Sequence, residues 1–304
     1  MGLFLPRSLP VNNKEFWQKQ GMRAGCLALL MPAVCHALDI DGGDYTPLPP
    51  GANLALLYYK HVESNDAYSH GGNIGGATRL TQDIGILRMI HFMEVGGLTM
   101  DPQFLLPFGN VRGKQAGAEL GTGNGTGDLI LANTVWLVNN SDTKTYFGVT
   151  PMVILPTGSY DKDDPLNIGE NRYKYTLQFG VSQELANRLT LDAAFDGTHF
   201  GDNDRYGPGK QTLEQRTLYQ GQVILRYNLR QDLDIRTSYS KLWGGEQFLD
   251  GSSQGKPGQS KYSIGAAYML PTRTQLIVNW GRDTSIDNGF KTDSQLSLRI
   301  AQVF

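Results

Sequence analysis

Cysteine is almost missing: Cys26 and Cys35 are the two in a chain of 304 residues. Both fall in a stretch with the build of an export signal. Lys14, Lys19 and Arg23 precede the apolar run from Ala24 to Val34, and Cys35-His36-Ala37 offers small residues for cleavage. Residues 1–37 therefore read as a signal peptide, with Met22 as an alternative start. Once that segment is removed no thiol remains, which excludes disulfides, Cys-metal sites and Cys nucleophiles. No run of about eighteen uncharged apolar residues occurs, so no helix of this chain spans a membrane. Charge of one sign is missing too. The 27 Lys and Arg against 29 Asp and Glu leave a net charge of −2, without the basic footprint of a nucleic-acid binder.

Chemistry-bearing motifs are equally scarce. His61, His70, His91 and His199 form no HExxH and no close i, i+4 pair, and no G-x-S-x-G nucleophile motif is present. The glycine-rich stretch from Gly121 to Gly127 lacks both a dinucleotide-binding spacing and a P-loop lysine. Asp161, Asp163 and Asp164 show no EF-hand spacing. The expectation is a protein without catalytic residues, cofactor or metal.

What the chain has is glycine, 37 residues of it, and a rhythm of two. From Tyr173 to Val181 apolar residues alternate with polar ones or glycine, the pattern of a strand with one oily and one wet face. The rhythm predicts twelve strands, near 52–62, 80–94, 97–111, 127–138, 143–157, 171–184, 188–200, 213–228, 231–244, 260–270, 272–283 and 290–304. The second is the least regular, with Leu87, Met89, Ile90 and Phe92 on both faces around Arg88. Links between strands alternate short and long, with Gly, Asp and Asn gathered in the long ones. Behind an export signal this layout predicts an all-β fold: an antiparallel up-and-down transmembrane β-barrel of about twelve strands over residues 52–304. Its turns would be short on the periplasmic side and its loops longer outside. Residues 38–51, rich in Pro and Gly, form a lead-in that either hangs outside the barrel or tucks into it, with Tyr45 to Gly51 as a partial plug of the periplasmic mouth.

Alternation also assigns an interior. Lys174, Gln178, Asp192, Asp196, Arg226, Asp234, Arg236, Asn279 and Arg299 fall on the polar faces. A Lys or Arg turned to lipid at mid-membrane costs roughly 2–4 kcal/mol, so these residues are candidates to line the lumen. Both signs occur, so they either pair and close the interior or shape a small-molecule path. Phe304 ends the final alternating strand and resembles the recognition signal of the barrel-assembly machinery.

Three further elements carry a family likeness. They are Gly127-Asp128-Leu129 after the glycine-rich loop, Pro156-Thr157-Gly158-Ser159-Tyr160-Asp161 closing a strand, and Asn167-Ile168-Gly169-Glu170-Asn171 opening the next. With the strands around them, they resemble the outer-membrane proteins named for the meta pathway of phenol degradation, over essentially all of Gly51 to Phe304. The resemblance implies a barrel in the bacterial outer membrane for passive uptake of small hydrophobic or aromatic compounds. Its partners would be outer-membrane lipid and lipopolysaccharide, the assembly machinery and the solute. Two rivals stay open: a structural barrel with a closed lumen, and a lipid-modifying enzyme.

Overall fold

Long antiparallel strands pair each with its neighbour in sequence and then close on themselves. They are β1 (Asn53–Ser69), β2 (Thr78–His91), β3 (Leu98–Gln115), β4 (Leu129–Asn140), β5 (Thr145–Leu155), β6 (Lys174–Ala186), β7 (Leu189–Phe200), β8 (Leu218–Arg230), β9 (Leu233–Gly244), β10 (Gln259–Met269), β11 (Thr274–Ile286) and β12 (Gly289–Val303). The computed structural model describes residues 39–74 and 78–304. The expected signal peptide, 1–37, lies outside the described residues. Closure runs between β1 and β12, from Leu54 opposite Val303 to Tyr68 opposite Gly289. The Asn53 N–H donates to the Phe304 carbonyl at 2.9 Å and the Phe304 N–H to that of Asn53 at 3.0 Å. A closed sheet leaves no unpaired edge, which lipid demands of any spanning sheet.

The two-residue rhythm sorts the side chains. On β10 and β11 Ile264 and Val278 are 54% and 49% exposed on the outer face, whereas Asp192 of β7 and Lys174 of β6 are 0% and 1% exposed inside. Phe195, Tyr219 and Trp243 stack across the outside of β7, β8 and β9 with ring centroids 5.9–6.2 Å apart.

One rim carries the tight turns. Gly96 and Gly97 join residues 95 and 98 with φ of 60° and 81°, the positive pair that a two-residue hairpin requires. On the other rim the β7–β8 and β9–β10 links add a separate four-stranded sheet of Asn203–Tyr206, Gln211–Gln215, Gln247–Leu249 and Ser252–Gly255. The eighth barrel strand thus begins at Leu218 rather than near 213. Two expected long links are corrected as well. β1 runs on to Ser69, and β11 and β12 meet at a hairpin of Asp287 and Asn288. The polar residues there pair through main-chain groups, which serve a ladder whatever the side chain.

The interior is not uniformly polar. Leu80, Ile84 and Ile86 of β2, Leu105 of β3, Ile130 and Ala132 of β4 and Met152 and Ile154 of β5 join one buried apolar cluster, with Leu120, Leu166 and Ile168 added from loops. The inner faces of β6 to β10 carry buried Lys174, Gln178, Asp192, Gln220, Arg236 and Ser260 instead. The lumen therefore has one apolar wall and one polar wall.

Candidate functional site

The lead-in enters this two-walled lumen. At the tight-turn rim the Gly51 N–H donates to the Phe92 carbonyl at 2.7 Å, and Leu48 packs against the buried cluster that includes Phe92 and Trp136. From there residues 46 to 39 run inward. The Tyr45 hydroxyl donates to Gln178 Oε1 at 2.9 Å and lies 3.0 Å from Thr150 Oγ1. The Trp136 indole N–H donates to the Tyr45 carbonyl at 3.2 Å. The Tyr45 ring rests on Gly148 and Gly180, where a β-carbon would run into it. Next comes a tight turn, with the Asp44 N–H on the Asp41 carbonyl at 3.1 Å and Gly43 at φ 96°. The sequence expectation places the plug at Tyr45 to Gly51. The residues inside the lumen are instead Asp39 to Thr46, and 47–51 lie at the rim.

Acidic side chains of the lead-in meet basic ones of the wall. Asp44 pairs with Arg299 at 2.8 Å and Arg88 at 3.3 Å, and Asp41 with Arg299 at 3.1 Å. Asp39 pairs with Lys261 at 2.5 Å and Lys60 at 3.8 Å. Burial alone would raise the Asp39 pKa. The two ammonium groups, with hydrogen bonds from Lys261 and Gln220, outweigh it and hold Asp39 at about 2. Burial likewise opposes ionisation of Asp44, and Arg299 and Arg88 outweigh it to keep the carboxyl below its ordinary range. A carboxylate with a depressed pKa contributes its docking energy above the free pKa and loses it as pH falls through the bound value. Ion conductance through the barrel should thus stay flat from pH 7 down to about 4 and rise only as pH approaches about 2. Conductance traces over a pH series check this; a rise already near pH 6 contradicts it.

The sequence candidates divide by what they touch. Gln178, Asn279, Arg236 and Arg299 bond to the lead-in directly, Asn279 through Asp41 at 3.3 Å and Arg236 through the Gly42 carbonyl at 3.3 Å. Arg226 packs its aliphatic stem on Gly42 and pairs with Asp192 at 2.5 Å. Asp234 pairs with Arg236 at 2.7 Å, and Asp196 accepts from Gln178 at 3.1 Å. Lys174 stands apart, bonded to Glu170 at 2.6 Å beside Arg172. Sequence reasoning missed Lys60, Arg88 and Lys261, the lead-in's own aspartates, and the whole apolar wall. Its one signal was the second strand, whose apolar residues on both faces mark a strand facing lipid outside and an apolar lumen inside.

Beside the turn a cavity of about 120 Å³ remains. Ile86, Leu105, Ala132 and Met152 form its apolar side; Arg88, Arg299, Gln222, Ser240 and Asn279 are among its polar lining.

The sequence motifs converge at a second place, where β4 parts from β3. β3 pairs with β4 from Met100 to Leu105, then with residues 122–126 from Phe108 to Arg112. There the two Asp128 carboxylate oxygens accept the Gly158 N–H at 2.9 Å and the Glu170 N–H at 3.0 Å. A β-carbon on Gly158 or Gly169 would stand 2.8 or 3.1 Å from that carboxylate. The Gly127 N–H donates to the Pro107 carbonyl at 2.8 Å, and the Thr157 hydroxyl accepts from the Leu129 N–H at 3.0 Å. β5 ends at Leu155, directly before Pro156. Asn167 ties the loop to the Asp161 and Asp164 carbonyls at 2.9 and 2.8 Å. Tyr160 donates to the Arg205 carbonyl at 2.9 Å, and Asn171, at φ 54°, to Asn203 at 2.9 Å. Burial pushes the Asp128 carboxyl up, against the pull of its two N–H donors. This loop and the lumen turn are separate structures.

Residues 64–300 match a family model described as "Putative MetA-pathway of phenol degradation". The chain belongs to this family. An outer membrane channel from Pseudomonas putida F1 is 34% identical at a TM-score of 0.84, covering 88% of this chain and 100% of its own. The family's barrel is thus that of an outer-membrane channel. Remoter likenesses include the KdgM porin (8% identity, TM-score 0.47, 82% of this chain and 99% of the porin) and a variant of the monoaromatic hydrocarbon channel TodX (10%, 0.45, 84% and 90%). Neither is near enough to inform this chain. No curated protein sequence matches it.

Against this family background the histidines show incomplete constellations. His61 Nδ1 lies 2.7 Å from Asp83 with no serine hydroxyl bonded to its ring, and His70 Nδ1 lies 3.0 Å from Ser69 with no carboxylate on its ring, among the described residues. His91 Nδ1 bonds Asn53 at 2.8 Å. No group of three or more His, Cys, Asp or Glu suited to a metal occurs among the described residues.

Proposed function

We propose that this chain is a passive channel of the bacterial outer membrane for small apolar or aromatic compounds, kept shut at rest by Asp39 to Thr46. The observation that carries this reading is the apolar inner wall of β2 to β5, which continues from the loop-side cluster to the cavity beside the lead-in. A sealed barrel would pack such residues away as core, whereas here Ile86, Leu105, Ala132 and Met152 front a cavity and present an apolar surface to a solute. An apolar solute, by contrast, gains about 25 cal/mol for each Å² it buries there. Around the barrel the reading places outer-membrane lipid and lipopolysaccharide.

The test uses cells with an intact lipopolysaccharide leaflet, because that leaflet is the barrier to such solutes. Expression should raise the initial uptake rate of labelled toluene, and Leu105→Asp with Met152→Asp should abolish the gain. Equal uptake with and without the protein overturns the reading. Turnover of labelled outer-membrane lipid, lost on His61→Ala, would favour the enzyme instead.

The assembly machinery enters through the last strand. Phe304 is 62% exposed beside the β1–β12 seam. Its deletion should lower the yield of folded, heat-modifiable barrel in membranes while leaving refolding in detergent nearly intact. A purely structural role for the ring would weaken both equally.

A further inference from the structure

We infer that the lumen holds a binding site for an anionic amphiphile, a carboxylate on an apolar body, with Arg88 and Arg299 as its head-group site. This rests on the channel reading above and names a solute class within it. Lys60, Arg88, Lys261 and Arg299 all face the lumen, and among the described residues their ion-pair partners are the lead-in's Asp39, Asp41 and Asp44 alone. The other inward carboxylates form no ion pair with these four, although Asp101 lies near enough to Arg88, and Asp283 to Lys261, to feel their charge. Asp192 and Asp234 pair with Arg226 and Arg236. Asp101 accepts from Thr134 and Gln103, Asp196 from Gln178, and Asp283 from Gln259 and Thr292. When the lead-in leaves, three negative charges leave with it and four positive ones stay behind in a narrow wall. Four cations left close together in a narrow lumen repel one another and draw anions in from solution. A solute that brings its own anion restores the balance, and only such a differential interaction shifts a two-state equilibrium.

The two arginines are held for this role without the lead-in. Arg88 donates to Gln103 Oε1 at 2.8 Å and to the Tyr58 hydroxyl at 3.1 Å. Arg299 donates to Gln275 Oε1 at 2.6 Å and sits 5.9 Å from the centre of the Tyr58 ring. The Arg299 side chain is 7% exposed, and its Nε finds no acceptor even with the lead-in docked. Both guanidinium groups line the cavity whose other side is Ile86, Leu105, Ala132 and Met152. A carboxylate placed where Asp44 now lies takes charge-assisted bonds from both, and its hydrocarbon part lies along the apolar side. An ammonium head meets four like charges in the same place.

Three probes of one shape separate charge from apolar bulk: hexanoate, hexanol and hexylammonium. The full chain is used with Trp17→Phe, Trp243→Phe and Trp280→Phe, so that Trp136, bonded to the Tyr45 carbonyl, is the one tryptophan left of the four and reports lead-in release by fluorescence. Hexanoate should release the lead-in at a concentration at least tenfold below hexanol, and hexylammonium should not release it. Equal midpoints for hexanoate and hexanol overturn the anionic site and leave the channel for apolar solutes standing. Failure of all three overturns the site as well, and the toluene measurement then decides the channel on its own. A second measurement needs no arginine variant. The chain carrying Asp39→Asn, Asp41→Asn and Asp44→Asn should give an anion-selective reversal potential in a KCl gradient; cation selectivity overturns the proposal.

Discussion

Deleting residues 39–46 is expected to convert a nearly non-conducting barrel into an open pore in planar bilayers. The lead-in crosses the lumen and bonds to the wall on all sides, to Lys60 of β1 and Arg88 of β2, Thr150 and Gln178 of β5 and β6, and Lys261, Asn279 and Arg299 of β10 to β12. The seam of the barrel lies outside the deletion, because Asn53 and Phe304 make it. Tyr45→Ala gives the same result by a smaller change. Truncating a packed aromatic costs about 3–5 kcal/mol in a well-filled core. Each 1.4 kcal/mol is about tenfold in an equilibrium, so even the lower figure raises the undocked population by roughly a hundredfold. Long open events should replace rare ones in single-channel records. Gly180→Leu approaches the same contact from the wall, since its side chain takes the place of the Tyr45 ring. Unaltered traces in all three variants would mean that the turn is no obstacle to ions.

The pattern that made the barrel legible is simple. A strand with lipid on one side and water or polar groups on the other must alternate, and Leu189 to Asp196 or Leu233 to Arg236 do so residue by residue. Twelve strands and their order follow from counting such runs. Strand ends were less legible, because Ser64 to Ser69 pair through main-chain groups that leave no mark in the side chains. The lumen was half legible. Polar inward residues announce themselves by interrupting an oily face, but apolar inward residues do not. Ile86 and Leu105 therefore carry no mark of a place in the lumen, and strand two shows only the irregularity of Leu87, Met89, Ile90 and Phe92 around Arg88. The partners of Arg88 and Arg299 were hidden for a different reason. Asp39, Asp41 and Asp44 belong to a segment without periodicity, and nothing local tells a solvated aspartate from one that crosses a lumen to reach an arginine some 250 residues away.

Asp128→Ala should unfasten the loop from Pro156 to Asn171. One carboxylate there satisfies two main-chain donors, the N–H groups of Gly158 and Glu170. Removing it leaves both half-buried with no acceptor, at about 1–3 kcal/mol each. Asn keeps the shape but offers one carbonyl oxygen where two carboxylate oxygens now accept, so Asp128→Asn should lose about half as much. The barrel wall does not depend on this clip, because β4 and β5 remain paired from Leu129 opposite Leu155 onward. Heat-modifiability on a gel should therefore persist in both variants. The loop, freed at two points, should become open to protease between Ser159 and Asn167, Ala faster than Asn. Cleavage at the same rate in all three proteins would show that Asn167 and Tyr160, with their own bonds to Asp161, Asp164 and Arg205, hold the loop without the clip.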